Sequence, residues 1–248
     1  MSNKLSELYL YRLIPGAKNP LRWNMKFRNR NNAASIPPSV LPPVPPSVLP
    51  VEPSNNDDEL SVEPSNDDGP FVSGLLLITK FEGFSEKAYA DPLSVDGLPI
   101  TNGFGSTKNL NGENWKLGEK ITLPEAEELL KKKLEEAYLP HLLKIPYWKD
   151  MTPVKQGALL SFSYNLGNRF YGSPDFETIT QVLNKKEWNE VPNTFYIYRN
   201  PGTKVELGLA RRRAAEGVAW QNDTINEEEI MKIKTENLSY LNKMHNIS

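Results

Sequence analysis

Apolar positions recur at helical spacing along most of the chain after residue 70, with one interruption. Residues 71–81 form a nearly continuous apolar run that ends at Glu82-Gly83, and Val72, Leu75, Leu76 and Thr79 fall on one helical face. Residues 88–110 lose that period. Residues 89–91 and 100–104 read as short strands around a turn at Asp96-Gly97, and Asn111-Gly112 makes a second turn. Helical spacing then returns. Thr122-Leu-Pro-Glu125 is a capping-box signature with proline in the first turn, opening a helix predicted to run to about Lys144. Its expected buried side is Ala126, Leu129, Leu130, Leu134, Ala137 and Tyr138. Thr152-Pro153 starts another helix that ends near Asn165-Leu166-Gly167. Shorter helices follow at about 176–190 and 207–220, and Ile230, Ile233, Leu238 and Leu241 predict a last helix over about 224–244. The order of helix, small sheet and several helices predicts an α+β fold with a mainly helical second lobe.

Ahead of residue 71 the texture is different. Residues 36–70 are low in complexity and carry two duplications: Pro-Pro-Ser-Val-Leu-Pro opens at 37 and again at 45, and Val-Glu-Pro-Ser-Asn opens at 51 and again at 62. Proline at this density favours extended polyproline backbone, so the zone reads as a linker or stalk. Residues 1–35 are basic and contain scattered leucines and aromatics, among them Trp23 and Phe27. They are too short to bury a core alone and read either as a docking element or as a disordered leader without fixed partners.

Charge sharpens this division. The net formal charge of −2 conceals +6 over residues 1–35 and −7 over residues 36–70, leaving −1 for the remainder. No broadly basic domain exists, so the electrostatic footprint of nucleic-acid binding is missing. The chain has no cysteine, which excludes disulfides and Cys-ligated zinc. The basic N-terminus is followed by no apolar h-region, so no signal peptide is expected. No run is long and apolar enough to span a bilayer.

Among the carboxylates, Glu82 stands out. It closes an apolar helix, where unpaired carbonyls disfavour a negative charge, and Ile78, Phe81 and Phe84 surround it with apolar bulk. Both effects favour the protonated carboxyl that a general acid needs. Asp91 lies nine residues on, beside a strand. A helix end and the first strand of a hairpin can face each other across a cleft, and glycoside hydrolysis uses such a pair, one carboxyl protonated and one ionised. Thr101 lies on the returning strand, where its hydroxyl can hold a water. Gly103 and Gly105 let backbone approach a ligand. Taken singly, Glu82 also reads as a solvated helix end and Asp91-Pro92 as a turn.

The combination has a family likeness. Phe81-Glu-Gly-Phe-Ser-Glu-Lys-Ala-Tyr-Ala-Asp91-Pro, followed by Leu98-Pro-Ile-Thr101-Asn-Gly103-Phe-Gly105-Ser-Thr107, resembles the opening of the phage-type lysozymes (endolysins), glycoside hydrolase family 24. The stretch ending in Asn165-Leu-Gly and the stretch Gly208-Leu-Ala-Arg-Arg-Arg-Ala-Ala-Glu216 are also similar to that family, so the likeness spans about 71–221. Three departures are visible. Asp91 and Thr101 are ten residues apart where shorter members have six, Asn102 replaces a usual apolar residue, and Ser106 stands where many relatives have histidine.

The resemblance implies a lysozyme-like α+β fold and a muramidase acting on peptidoglycan glycan strands, with no cofactor and no metal. It implies Glu82, Asp91 and Thr101 as the catalytic set. Glu82 would protonate the bridging oxygen, and Asp91 would stabilise the developing cation and, with Thr101, place water. The expected division is a basic segment over 1–35, a linker over 36–70, a catalytic domain over 71–221 and a C-terminal helix over 222–248. Residues 1–35 are candidates for docking to a phage tail or other particle protein. Such a protein would be virion-associated, or held in the host cytoplasm and released to the wall. The rival reading is a catalytically inactive wall-binding or structural component. An amidase or peptidase lacks the metal-ligand or Cys-His set such chemistry uses. Arg211-Arg-Arg213 offers an anion site, or helix residues divided between packed pairs and a solvated face, and the second reading is preferred. Gln156 and Asn165 are candidates for sugar contact or buried capping, His141 for the surface, and Tyr164, Phe170, Tyr196 and Tyr198 for core.

Overall fold

A computed structural model describes residues 69–90 and 97–246. The N-terminal segment, nearly all of the linker and Asp91 therefore lie outside the described residues. The elements in order are α1 (Gly69–Phe81), β1 (Ser85–Ala90), β2 (Ile100–Gly103), α2 (Leu123–Lys133), a π turn (Leu134–Tyr138), α3 (Leu139–Leu142), α4 (Pro153–Leu166), α5 (Glu177–Asn184), α6 (Val191–Ile197), α7 (Glu206–Asn222), α8 (Glu227–Ile233) and α9 (Leu238–Met244). Short 3-10 turns stand at Trp148–Asp150, Pro174–Phe176 and Trp188–Glu190. Helices beside one small antiparallel sheet make the expected α+β architecture.

The centre of the helical lobe is α4. It is enclosed by the rest of the lobe along most of its length, with its buried serines and Asn165 as well as its apolar residues. Residues 157–163, Asn165 and Leu166 are all buried. The Thr152 hydroxyl caps its first turn by accepting from the Lys155 amide, and proline occupies the next position. Phe162 anchors an aromatic cluster with Phe170, Phe176, Phe195 and Tyr198, its ring stacked on Phe195 at 4.7 Å. Phe170, Tyr196 and Tyr198 are core, as their sequence context indicated.

Helix α1 lies against α4 through a face the apolar pattern did not single out. Ser73, Gly74, Leu77, Ile78 and Phe81 are buried, whereas Val72 is exposed and Leu75, Leu76 and Thr79 are half-buried. Small residues decide this. A Cβ on Gly157 would stand 2.6 Å from the Ser73 Cβ and 2.7 Å from the Gly74 amide nitrogen, so only glycine lets the two backbones come so close.

Two helices expected to be continuous are broken. The helix opened by Thr122, whose capping box forms as predicted, passes into the π turn at Leu134. Pro140 has no amide proton, and its ring would collide with the carbonyl four residues back. The backbone widens just ahead of it, and the Leu139 amide donates to the Leu134 carbonyl instead. The C-terminal segment is two short helices, α8 and α9. Asn226 and Asn237 cap their first turns, and the Thr235 hydroxyl takes the Lys232 carbonyl between them. Ile230, Ile233 and Leu241 are buried, and Lys80 pairs with Glu227.

Strands β1 and β2 are antiparallel, with Tyr89 opposite Thr101, Ala90 opposite Ile100, and an irregularity between Ser85 and Tyr89. The other edge of β1 is occupied by residues 118–121: the Ala88 amide donates to the Glu119 carbonyl at 2.7 Å and the Ile121 amide to the Glu86 carbonyl at 2.9 Å. Both sides of this short strand are thus paired.

Candidate active site

Glu82 follows the last residue of α1 and its amide still donates to the Ile78 carbonyl, at 2.7 Å. Strand β1 begins three residues later, so Glu82 sits at the junction of the helical lobe and the sheet. Its carboxyl is nine-tenths buried, as the apolar surroundings indicated. The sequence did not reveal its partner. The Arg212 guanidinium, from the middle of α7, donates from Nη1 to Glu82 Oε1 at 2.6 Å.

Arg212 is fully buried and held on all sides. Its Nε faces Glu216 Oε1 at 3.3 Å and its Nη2 donates to the Ser161 carbonyl at 3.2 Å. Burial opposes its charge, and the two carboxylates more than offset that, leaving its pKa above the ordinary value. Arg213, also fully buried, donates to Glu216 Oε1 at 3.0 Å and to Asn165 Oδ1 at 3.2 Å, and its guanidinium lies over the Phe162 ring. Burial, with the neighbouring Arg212 cation, pushes Arg213 down to about 10 despite Glu216. Arg211 donates to the Glu236 and Thr235 carbonyls. The three arginines are therefore packed and paired structural residues, with none left as a solvated anion site. Asn165 and Gln156 are likewise occupied within the protein, Gln156 donating to the Trp148 carbonyl at 2.8 Å.

Thr101 is buried in β2, directly across from Tyr89, and Asp91 follows two residues after Tyr89 in the chain. The structure thus places Glu82 and Thr101 in adjoining elements, while Asp91 lies outside the described residues. The turn after Thr101 is built differently from its sequence reading. Gly103 has φ near +59°, and a Cβ there would meet the Ala126 Cβ at 2.9 Å. Its bare face is pressed against α2 rather than turned toward a ligand. Asn102, fully buried, is satisfied by its own turn: the side-chain amide donates to the Glu119 carbonyl at 3.1 Å, and the carbonyl oxygen accepts from the Gly103 amide at 2.9 Å. Polar residue and apolar site are reconciled by these two bonds.

Aromatic residues form the wall beside Glu82. Phe84 is partly exposed, with its ring 5.6 Å from Phe104. Tyr164 is half-buried, in contrast to the other aromatics of its group, and its hydroxyl donates to the Phe104 carbonyl at 2.9 Å. Its ring is 5.4 Å from Tyr138, and the Lys133 ammonium lies 5.1 Å from its centroid. The π turn brings Tyr138 into this group. Burial pushes its phenol up, Lys133 opposes, and Tyr164 and Glu82 add to the rise. An open pocket of about 320 Å³ lined by His141, Lys144, Asn168, Arg169 and Tyr171 includes neither Glu82 nor Thr101. No cluster of three or more metal-ligating side chains occurs among the described residues.

The chain is similar to known proteins. The profile of the family described as phage lysozyme matches residues 79–216, a span that contains Glu82, Thr101, Arg212 and Glu216. The chain is 30% identical over 144 residues to the endolysin of Salmonella phage P22, covering 57% of this chain and 90% of that protein. It is also 30% identical over 146 residues to the endolysin of Bacillus phage B103, covering 58% of this chain and 51% of that protein. Among solved structures, the crystal structure of a P22 lysozyme mutant aligns with a TM-score of 0.49 at 24% identity, over 60% of this chain and 94% of the other.

Proposed function

The chain belongs to the phage lysozyme family, and on that premise we propose that residues 71–221 are its catalytic domain. It is a muramidase that hydrolyses the β-1,4 bond between N-acetylmuramic acid and N-acetylglucosamine in bacterial cell walls. The observation that carries this reading is the Glu82 carboxyl. It is nine-tenths buried at a helix end, 2.6 Å from a fully buried guanidinium, and adjoins the sheet that holds Thr101.

In this mechanism Glu82 delivers a proton to the bridging oxygen as the bond breaks. The carboxylate left behind is received by Arg212, whose cation is already in place, so little reorganisation accompanies the transfer. Asp91 stabilises the positive charge that develops on the sugar ring, and with Thr101 it positions the attacking water. Phe84 and Tyr164 offer apolar faces along which sugar rings can lie. The substrate is the glycan strand of peptidoglycan.

Residues 1–35 act as a docking segment on a phage tail or other particle protein, and residues 36–70 as the tether that lets the catalytic domain reach the wall. From the C-terminal segment, Glu227 pairs with Lys80 near the end of α1, and Lys234 donates to the Lys80 carbonyl. Among the described residues no helix is long and apolar enough to cross a membrane. The protein works either from the virion or from the host cytoplasm after release to the wall.

A turbidity assay on purified peptidoglycan tests the central assignment. The wild type clears the suspension, Glu82→Gln does not, and mass analysis of the products finds cleaved glycan with intact peptide stems. Equal lysis by both proteins would overturn the role of Glu82. Lysis by neither would favour an inactive wall-binding module.

A further inference from the structure

We infer that Glu216 is a positioning residue for the reaction: it holds Arg212 against Glu82 and sets the charge balance against which Glu82 gives up its proton. This inference rests on the reading of Glu82 as the acid.

The geometry is a closed set of four charges. Arg212, Arg213 and Glu216 lie within five residues on α7, and helical spacing brings both guanidinium groups onto one carboxylate. Glu216 Oε1 accepts from Arg213 at 3.0 Å and from the Ser161 hydroxyl at 2.7 Å, and stands 3.3 Å from Arg212 Nε. Its Oε2 lies 2.9 Å from Arg213 Nε. All three charged residues, with Ser161, are fully excluded from solvent. Water cannot screen them, so the number of charges of each sign governs the site.

With Glu82 ionised there are two cations and two anions. With Glu82 protonated, as the acid must be before it acts, Glu216 is the sole anion of the set. Were Glu216 neutral, two buried cations would have only Glu82 to satisfy them, and its carboxylate would be favoured further. Were Arg213 neutral, two carboxylates would share Arg212 and the proton would be held more tightly. Among the described residues, the other groups on the elements packed here keep their charges in every variant compared. From the π turn Tyr138 is neutral in the working range. Lys80 is paired to Glu227, and Lys234 donates to the Lys80 carbonyl. Ser161 and Asn165, from α4, are uncharged.

The test measures kcat/KM against pH for the full chain and for Glu216→Gln, Arg213→Gln and the double variant, with circular dichroism confirming the fold of each. The alkaline limb, which reports loss of the proton from the acid, should move down by about one pH unit in Glu216→Gln and up by a similar amount in Arg213→Gln. In the double variant, which restores the balance, it should return to within about half a unit of wild type. Limbs that stay fixed while activity falls equally at every pH, or that move in one direction in both single variants, overturn the inference. Removing one partner of a buried pair is strongly destabilising. If Glu216→Gln does not fold, Arg213→Gln and the double variant decide by the same criteria. Should both single variants fail to fold, the double variant decides: a limb displaced by more than half a unit overturns the inference. Glu82→Gln run alongside separates the two levels: wild-type rates in that variant remove the acid assignment, whereas an inactive Glu82→Gln with fixed limbs elsewhere removes only the role of Glu216.

Discussion

The Tyr164 hydroxyl donates to the Phe104 carbonyl at 2.9 Å, tying the central helix α4 to the glycine turn that follows Thr101. This bond crosses from one lobe to the other at the wall of the site. It fixes the turn without covering Glu82.

Removing that bond should loosen the turn while sparing the fold. Tyr164→Phe keeps the ring against Tyr138 and leaves one carbonyl to find water, a cost of about 1 kcal/mol. The expected result is a small fall in the urea midpoint and a several-fold fall in lysis rate. An unchanged rate would show that the turn is held by β2 and α2 alone.

Two of the helical glycines with close neighbours, Gly157 and Gly217, should respond differently. Alanine gains about 1 kcal/mol over glycine in a helix. At Gly157 that gain is overwhelmed, because the new methyl would sit 2.6 Å from the Ser73 Cβ and 2.7 Å from backbone. Gly157→Ala should destabilise by about 1–3 kcal/mol. At Gly217 the nearest atoms are the Pro192 Cβ and Cα at 3.2 and 3.3 Å, a contact that small shifts relieve. Gly217→Ala should be neutral or slightly stabilising. Urea denaturation of both variants checks the pair.

Asn102→Ala removes two satisfied bonds at a fully buried position, leaving the Glu119 carbonyl and the Gly103 amide without those partners. The expected loss is about 1–3 kcal/mol. Amide exchange should quicken first at Gly103.

Acid should weaken the C-terminal helices through His245. Its ring stacks on Tyr196 at 4.0 Å, Nδ1 meets the Asn193 side chain, and Nε2 is buried with no hydrogen-bond partner. Burial, with Arg199 nearby, pushes His245 down to about 4 from 6.5. The folded state therefore binds fewer protons than the unfolded state between these values. The stability due to the neutral ring is full above pH 6.5 and is lost as pH falls through 4. Melting temperature should fall more steeply for the wild type than for His245→Phe between pH 7 and 4.5. Parallel curves would discount the histidine.

Much of the fold was legible because its signals are local. The capping box at Thr122 and the Thr152-Pro153 start are chemistry between residues a few positions apart, and both form as read. The pairing of two short strands follows from their alternation, and Tyr89 and Thr101 do stand opposite each other. The buried face of α1 was not legible. Its run is apolar nearly all round, so the face read from periodicity, Val72, Leu75, Leu76 and Thr79, is not the one that packs, and the decision fell to Ser73, Gly74 and Gly157, whose smallness matters only once two helices meet. Helix α6 was missed for a related reason: it is seven residues long and carries proline near its start. The breaks at Pro140 and Asn237 did have signals, a proline without an amide proton and an asparagine ahead of a new apolar turn. At the site, the candidate acid was visible from its apolar neighbours, but Arg212 was not, since no local pattern joins residues 130 positions apart.

That separation has a bearing on how the enzyme comes into being. A ribosome releases Glu82 early and α7 late, so a nascent chain carries the carboxyl long before the guanidinium that receives its charge. Until α7 docks, Glu82 lacks the guanidinium that pairs with it.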